Sequence, residues 1–154
     1  LPYPARAIRT KDYLFIINFR PDRWPLGDPF DLDTNKEPNV EQLTQQTFCT
    51  LADEDAGPTK AWIVSNRKDS KIQTIYEHAY GKRSREQLFD MNKDPHQMVN
   101  IADDLAYEDV LVKLRGQLMS ELKTTNDPRV VDGGRYFETP PLAGPYKKAA
   151  RPKK

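Results

Sequence analysis

Glu86-Gln-Leu-Phe-Asp-Met-Asn-Lys-Asp-Pro-His-Gln-Met-Val-Asn-Ile-Ala102 changes local pattern three times within seventeen residues. Its first six residues read as a strand, with Leu88 and Phe89 supplied to a sheet. Asn92-Lys93-Asp94-Pro95 then forces a turn, and Asn100 and Ile101 lead towards a helix. Downstream, Tyr107, Val110, Leu111, Leu114, Leu118 and Leu122 recur at three- and four-residue steps, the spacing of one helical face. Asp103 or Asp104 can cap that helix, and Glu108 and Asp109 near its start suit the helix dipole.

Upstream, Ala5–Thr10 and Asp12–Phe19 read as two strands joined by a tight turn at Thr10-Lys11-Asp12. Together these segments predict an α+β fold. A small antiparallel sheet of about Ala5–Thr10, Asp12–Phe19 and Gln87–Asp90 packs against the long amphipathic helix Leu105–Lys123. Leu111, Leu114 and Leu118 are expected to lie against Ile8, Phe15, Ile17 or Leu88. Between the second and third strands the sequence predicts short helices over about 40–52, 58–66 and 70–80. Gly57-Pro58 starts the second and Gly81 stops the third. Residues 20–39 form a long loop, since Pro21, Pro25, Pro29 and Gly27 forbid regular structure at its start. Trp24 and Phe30 argue that this loop is ordered. Two regions follow: residues 1–129 as a folded subdomain, and residues 130–154 as an extended Gly- and Pro-rich segment with a basic tail.

Composition narrows the function classes. The 154 residues are 37% hydrophobic and 31% charged, with 13 prolines and a mean hydropathy of −0.82. That balance suits a domain with much surface, or one that leans on a larger partner. The net charge of +1 conceals a basic tail, because residues 147–154 hold five positive charges and no acid. Without them the body carries 19 basic against 23 acidic residues, which argues against nucleic acid as a partner. No apolar run approaches the roughly 18 residues of a membrane span. Strand-like sequence at the very start is the expectation for a domain cut from something longer, and a leader for an exported parent would lie upstream of Leu1.

No Gly-rich phosphate loop, His-x-x-x-His pair or Gly-x-Ser-x-Gly elbow is present. The only histidines, His78 and His96, stand 18 positions apart, so no metal site and no catalytic residue is assigned. Cys49, the only cysteine, reads as a buried inert thiol in a helix. One segment supports a binding reading: Arg20, Asp22, Arg23 and Trp24, on a stiffened loop at a strand end. Arginine forks take sulfate, phosphate and carboxylate bidentately, and an indole offers a flat face to a sugar ring. The same residues also fit an Asp22–Arg23 or Asp22–Arg20 ion pair, with Trp24 as a plug on the sheet.

The opening Tyr3-Pro-Ala-Arg-Ala-Ile-Arg-Thr-Lys-Asp-Tyr-Leu-Phe-Ile resembles the entry of sulfatases into their C-terminal subdomain. Residues 86–102 resemble the family's E-L-Y-D-x-x-x-D-P-x-E-x-x-N-L-A signature, followed here by an amphipathic helix and Thr125-Asn-Asp-Pro128. The pattern is most like the heparan N-sulfatase (sulfamidase) branch. Phe89 in place of Tyr, Gln97 in place of an acid, and the basic tail depart from it and loosen the substrate assignment.

The resemblance implies a non-catalytic C-terminal part of a formylglycine-dependent hydrolase acting on a sulfated carbohydrate. Its partner is an N-terminal catalytic sulfatase domain, and its parent is exported. Calcium and formylglycine belong to that missing domain. Cys49 is followed by Thr50-Leu51 rather than the x-Pro-x-Arg of a formylglycine site, so the chain alone is expected to be inactive. Two other readings remain. One is an autonomous module binding glycans or anionic polymers, and the other is a subdomain of a phosphatase or phosphodiesterase relative. A Cys/Ser-x-Pro-x-Arg motif in the reading frame upstream would decide among them.

Overall fold

The Thr10 side chain closes the first hairpin. Its Oγ1 accepts the backbone N–H groups of Asp12 and Tyr13 at 3.3 and 2.9 Å, while the Thr10 N–H donates to the Tyr13 carbonyl at 2.8 Å. The turn joins β1 (Ala5–Arg9) to β2 (Tyr13–Asn18), and β2 pairs in turn with β3 (Glu86–Asp90). A computed structural model describes residues 4–138. In it the sheet is antiparallel throughout, in the order β1-β2-β3, with Ile8 opposite Phe15 and Phe15 opposite Leu88.

That register puts Ile8, Phe15 and Leu88 on one face, because alternate residues of a strand point the same way. The helix α4 (Glu108–Thr124) covers that face with Leu111, Leu114, Leu118 and Leu122, all buried with Phe15, Ile17 and Leu88 in one cluster. A single 3-10 turn, Leu105–Tyr107, precedes it, capped by the Asp104 carboxylate on the Ala106 N–H at 2.9 Å. The α+β expectation and its core residues are therefore met.

Asn100 explains why the signature segment ends as it does. Its Oδ1 accepts the Leu88 N–H at 2.8 Å and its Nδ2 donates to the Glu86 carbonyl at 3.1 Å. The Ile101 N–H adds a bond to the Leu88 carbonyl at 2.9 Å. One side chain and one amide thus replace a fourth strand on the free edge of β3, which would otherwise expose unpaired backbone. Glu86 also takes a two-bond fork from Arg115 of α4, at 2.6 and 2.5 Å.

Residues 19–85 form a second layer with its own core of Leu43, Leu51, Ala61, Val64 and Tyr80. Its helices are α1 (Val40–Gln45), α2 (Pro58–Ser65) and α3 (Ser70–Tyr80). Asn39 starts α1 by a capping box with Gln42. The helix predicted over 40–52 stops at Gln45, and Cys49 lies half-buried in a 3-10 turn, Thr47–Cys49, rather than buried in a helix. The cause is Lys60. Its ammonium is buried and donates to the carbonyls of Thr47, Leu51 and Glu54 at 3.2, 3.0 and 2.9 Å. Those carbonyls are turned towards the lysine rather than along a helix axis, and Leu51 takes a φ of +47° to reach the core.

The stretch after α4 also differs from the extended segment expected from residue 130. Pro128–Val131 forms one helical turn, α5, capped by Asp127, and Arg135–Glu138 forms another, α6. Proline after a capping aspartate is a helix start. The rest of that segment, including the whole basic tail, lies outside the described residues.

Candidate functional site

The loop after β2 is held at both ends. Asn18 is buried, and its Nδ2 donates to the Ser84 carbonyl at 2.6 Å and to Gln87 Oε1 at 3.1 Å. Farther on, the N–H groups of Leu51 and Asp53 donate to Asp28 and Leu26 at 3.1 and 3.2 Å. A side chain at Gly27 would not fit, since its Cβ would stand 2.8 Å from the Ala52 nitrogen. Arg67, almost fully buried, reaches Glu37 through two bonds and Asp33 through a third, each 2.8 Å. The loop is thus ordered, as its aromatic residues suggested.

The four residues singled out in the sequence are only partly brought together. Arg20 and Asp22 form a two-bond fork at 2.9 and 2.8 Å, one of the ion pairs the sequence left open. Both are well exposed, so the pair adds little stability. Arg23 is nearly buried and turns away from Asp22 to the Glu138 carboxylate of α6. Arg20 Nη1 also stands 3.5 Å from Glu138. Trp24 is half-buried, and the Lys82 ammonium sits 5.0 Å from its ring centroid.

Sequence reasoning missed what meets these residues from the far end of the chain. Arg129 of α5 donates to the other Glu138 oxygen at 2.8 Å. Arg6 of β1 donates to Asp127 at 2.7 Å, and the Phe137 ring lies 5.7 Å from its guanidinium and 4.5 Å from that of Arg129. The available signal was Asp127-Pro128-Arg129, a helix start carrying a basic residue. Nothing local announced its partner. In this cluster Arg6, Arg20, Arg23 and Arg129 face Asp22, Asp127 and Glu138.

Electrostatics follow from that geometry. Hydrogen bonds from Arg23 and Arg129 hold the Glu138 carboxyl down at about 2, and the bonds from Arg20 hold Asp22 at about 2. A carboxyl held below its unfolded value adds stability above the ordinary range near about 4, and that stability goes as protonation sets in. Acidification from about pH 4 through about 2 should therefore release α6 from the loop. Carboxyl resonances followed by NMR are expected to place the Glu138 midpoint near about 2. A midpoint in the ordinary carboxylate range would show that the arginines do not hold it.

A separate concavity, about 250 Å³ and one of several on the described surface, lies between His78, Arg83, Gln87, Phe89, Met98 and Asn100. Arg83 is committed there to the end of α3, donating to the carbonyls of Glu77 and Gly81 at 3.0 and 3.1 Å. Among the described residues, no group of His, Cys, Asp and Glu side chains could hold a metal ion. The Cys49 thiol donates to the Gln42 carbonyl at 3.7 Å.

No protein-family model matches the sequence. A search among curated proteins finds N-sulphoglucosamine sulphohydrolase of Homo sapiens, 26% identical over 130 residues. The chain is similar to part of a sulphohydrolase. The aligned residues are 84% of this chain and 22% of the human protein, so the chain spans about a fifth of that relative's length. The match supports a sulfatase-related chain, in line with the signature at residues 86–102. No described helix is long and apolar enough to cross a membrane.

Proposed function

We propose that this chain is the non-catalytic C-terminal part of a sulfatase, a hydrolase of sulfate esters or sulfamates on a sulfated glycan. The alignment with the human sulphohydrolase over 84% of the chain carries the reading. The partner is the catalytic domain of the parent protein, which supplies calcium and formylglycine and acts after export. This chain completes the fold, and its Arg20–Trp24 loop lies at the rim of the substrate cleft. The convergence of Arg20 and Arg23 on one carboxylate supports that placement, because a fork that holds a carboxylate also suits a sulfo group. It equally favours a second reading, an autonomous binder of anionic glycans.

Two assays test the proposal. The purified chain should turn over neither an aryl sulfate nor a sulfamidated glucosamine, and turnover would overturn it. In the whole enzyme, Arg23→Ala should raise KM for a sulfated oligosaccharide about tenfold to a hundredfold, the range of a lost hydrogen bond to a charged group. KM for a small aryl sulfate should hardly change. Equal effects on both substrates would make Arg23 a structural ion-pair partner.

A further inference from the structure

The sheet face turned away from α4 borders a groove. Ile16 and Gln87 stand opposite each other in the β2–β3 register, and with Phe89 they point away from the leucine stripe. The concavity they line with Met98, about 250 Å³, shares His78, Arg83, Gln87 and Asn100 with a neighbour of about 390 Å³. Gln73, Glu77 and Lys82 wall that neighbour. The two form one groove between the end of α3 and the sheet, with an apolar end at Ile16, Phe89 and Met98.

Its walls carry positive charge that no carboxylate takes up. Arg6, Arg67, Arg115 and Arg129 each pair with an acid. Arg83 donates only to main-chain carbonyls at the end of α3, those of Glu77, His78, Ala79 and Gly81. A helix C-terminus offsets about half a unit charge, so the guanidinium stays electropositive. Lys82 sits over the Trp24 ring, 5.0 Å from its centroid. The ion pairs among the described residues include neither Lys82 nor Arg83. Glu77 is the one acid lining the groove, and two cations outweigh it.

Polar groups along the groove are held in place. Gln87 Oε1 accepts from Asn18 at 3.1 Å, which fixes the carboxamide and leaves its Nε2 as a donor on the wall. Gln97 lies on the rim with a φ of +58°, a conformation that a side chain makes costly. Asp94 holds that turn by accepting the Gln97 and Val99 N–H groups at 3.1 and 2.8 Å. Donors fixed in this way lose little freedom on binding.

We infer that this groove binds an acidic sugar chain, with its anionic group at Lys82 and Arg83 and a ring along Gln87, Gln97 and Met98. The anionic class follows from the two cations without carboxylates. Fixed carboxamides beside an apolar strip suit the hydroxyls and the C–H face of a sugar, and that class rests on the glycan substrate proposed above.

An NMR titration of the full chain with a sulfated disaccharide, at an ionic strength matched with chloride, tests the groove. It reads no turnover, so it can fail while the sulfatase assignment stands, and the converse. The carboxamide signals of Gln87 and Gln97 should shift together and saturate. Lys82→Gln should weaken binding about tenfold, the low end for a lost hydrogen bond to a charged group. Gln97→Gly removes a carboxamide at a φ that glycine takes freely, and should weaken binding about threefold to tenfold in a folded chain. Shifts confined to residues 147–154, or an affinity that Lys82→Gln leaves unchanged, would assign binding to the basic tail and overturn the inference. The unsulfated disaccharide should not bind, and equal binding would overturn the role of Lys82 and Arg83. Sodium sulfate should bind more weakly than the sulfated disaccharide, and equal binding would overturn the sugar assignment.

Discussion

Leu114→Ala is expected to lower stability by about 2–5 kcal/mol, the cost of truncating a buried leucine and leaving a cavity. Leu114 is 3% exposed and lies midway along the leucine stripe of α4, in the cluster that holds Phe15, Ile17 and Leu88. Its neighbours on the sheet side come from two strands hydrogen-bonded to each other, which limits how far they can relax into the void. The fork between Arg115 and Glu86 fixes the helix to the same strands, so α4 cannot simply tilt to refill the space. Urea denaturation followed by far-ultraviolet circular dichroism measures the effect. The outward-facing Val112→Ala, 53% exposed, is the control and should cost less than about 1 kcal/mol. Similar losses in the two variants would mean that the stripe does not face the sheet.

The leucine stripe and the strand alternation were legible because each is a local repeat with a fixed period. Leu111, Leu114 and Leu118 share a helix face whatever lies opposite, and Phe15 and Ile17 share a strand face for the same reason. The turn at Asp94-Pro95 was legible from proline alone. The end of α1 was not. Leu43, Thr47 and Leu51 keep helical spacing, and the group that overrides them, Lys60, lies in the following helix. A lysine in sequence reads as surface, since buried lysines are rare. The candidate site was half legible. Arg20, Asp22, Arg23 and Trp24 stood out by composition within one loop, and the Arg20–Asp22 fork is a local pair. Arg23 and Glu138 are 115 positions apart, and no periodicity links residues at that distance. The Gly-Gly pair before α6 read as loop, though Asp132 holds the turn by accepting the Gly134 N–H at 2.8 Å.

Lys60→Met should be nearly as damaging as Leu114→Ala, although methionine matches the lysine stem in length. Lys60 is 1% exposed and its ammonium is bonded to three backbone carbonyls. The exchange keeps the packing of the stem and removes only the charged donor, so the carbonyls of Thr47, Leu51 and Glu54 lose their shared partner. Each buried acceptor left unpaired costs about 1–3 kcal/mol, and water entering at the exposed edge recovers part of that. A net loss of about 3–5 kcal/mol is expected. The opposing consideration is the cost of burying an ammonium at all, which has made some apolar replacements of buried ions stabilising. Here the carbonyls stay behind when the ion goes, so the lysine should win. The damage should also travel. Leu51 and Asp53 donate the two bonds that tether the long loop at Asp28 and Leu26, the loop that carries Arg20 and Arg23. In Lys60→Met those two amides should lose hydrogen-exchange protection, while Phe15 and Leu88 in the sheet keep theirs. A variant as stable as wild type, with Leu51 and Asp53 still protected, would show that the segment after α1 is held by its apolar contacts and that the lysine is dispensable.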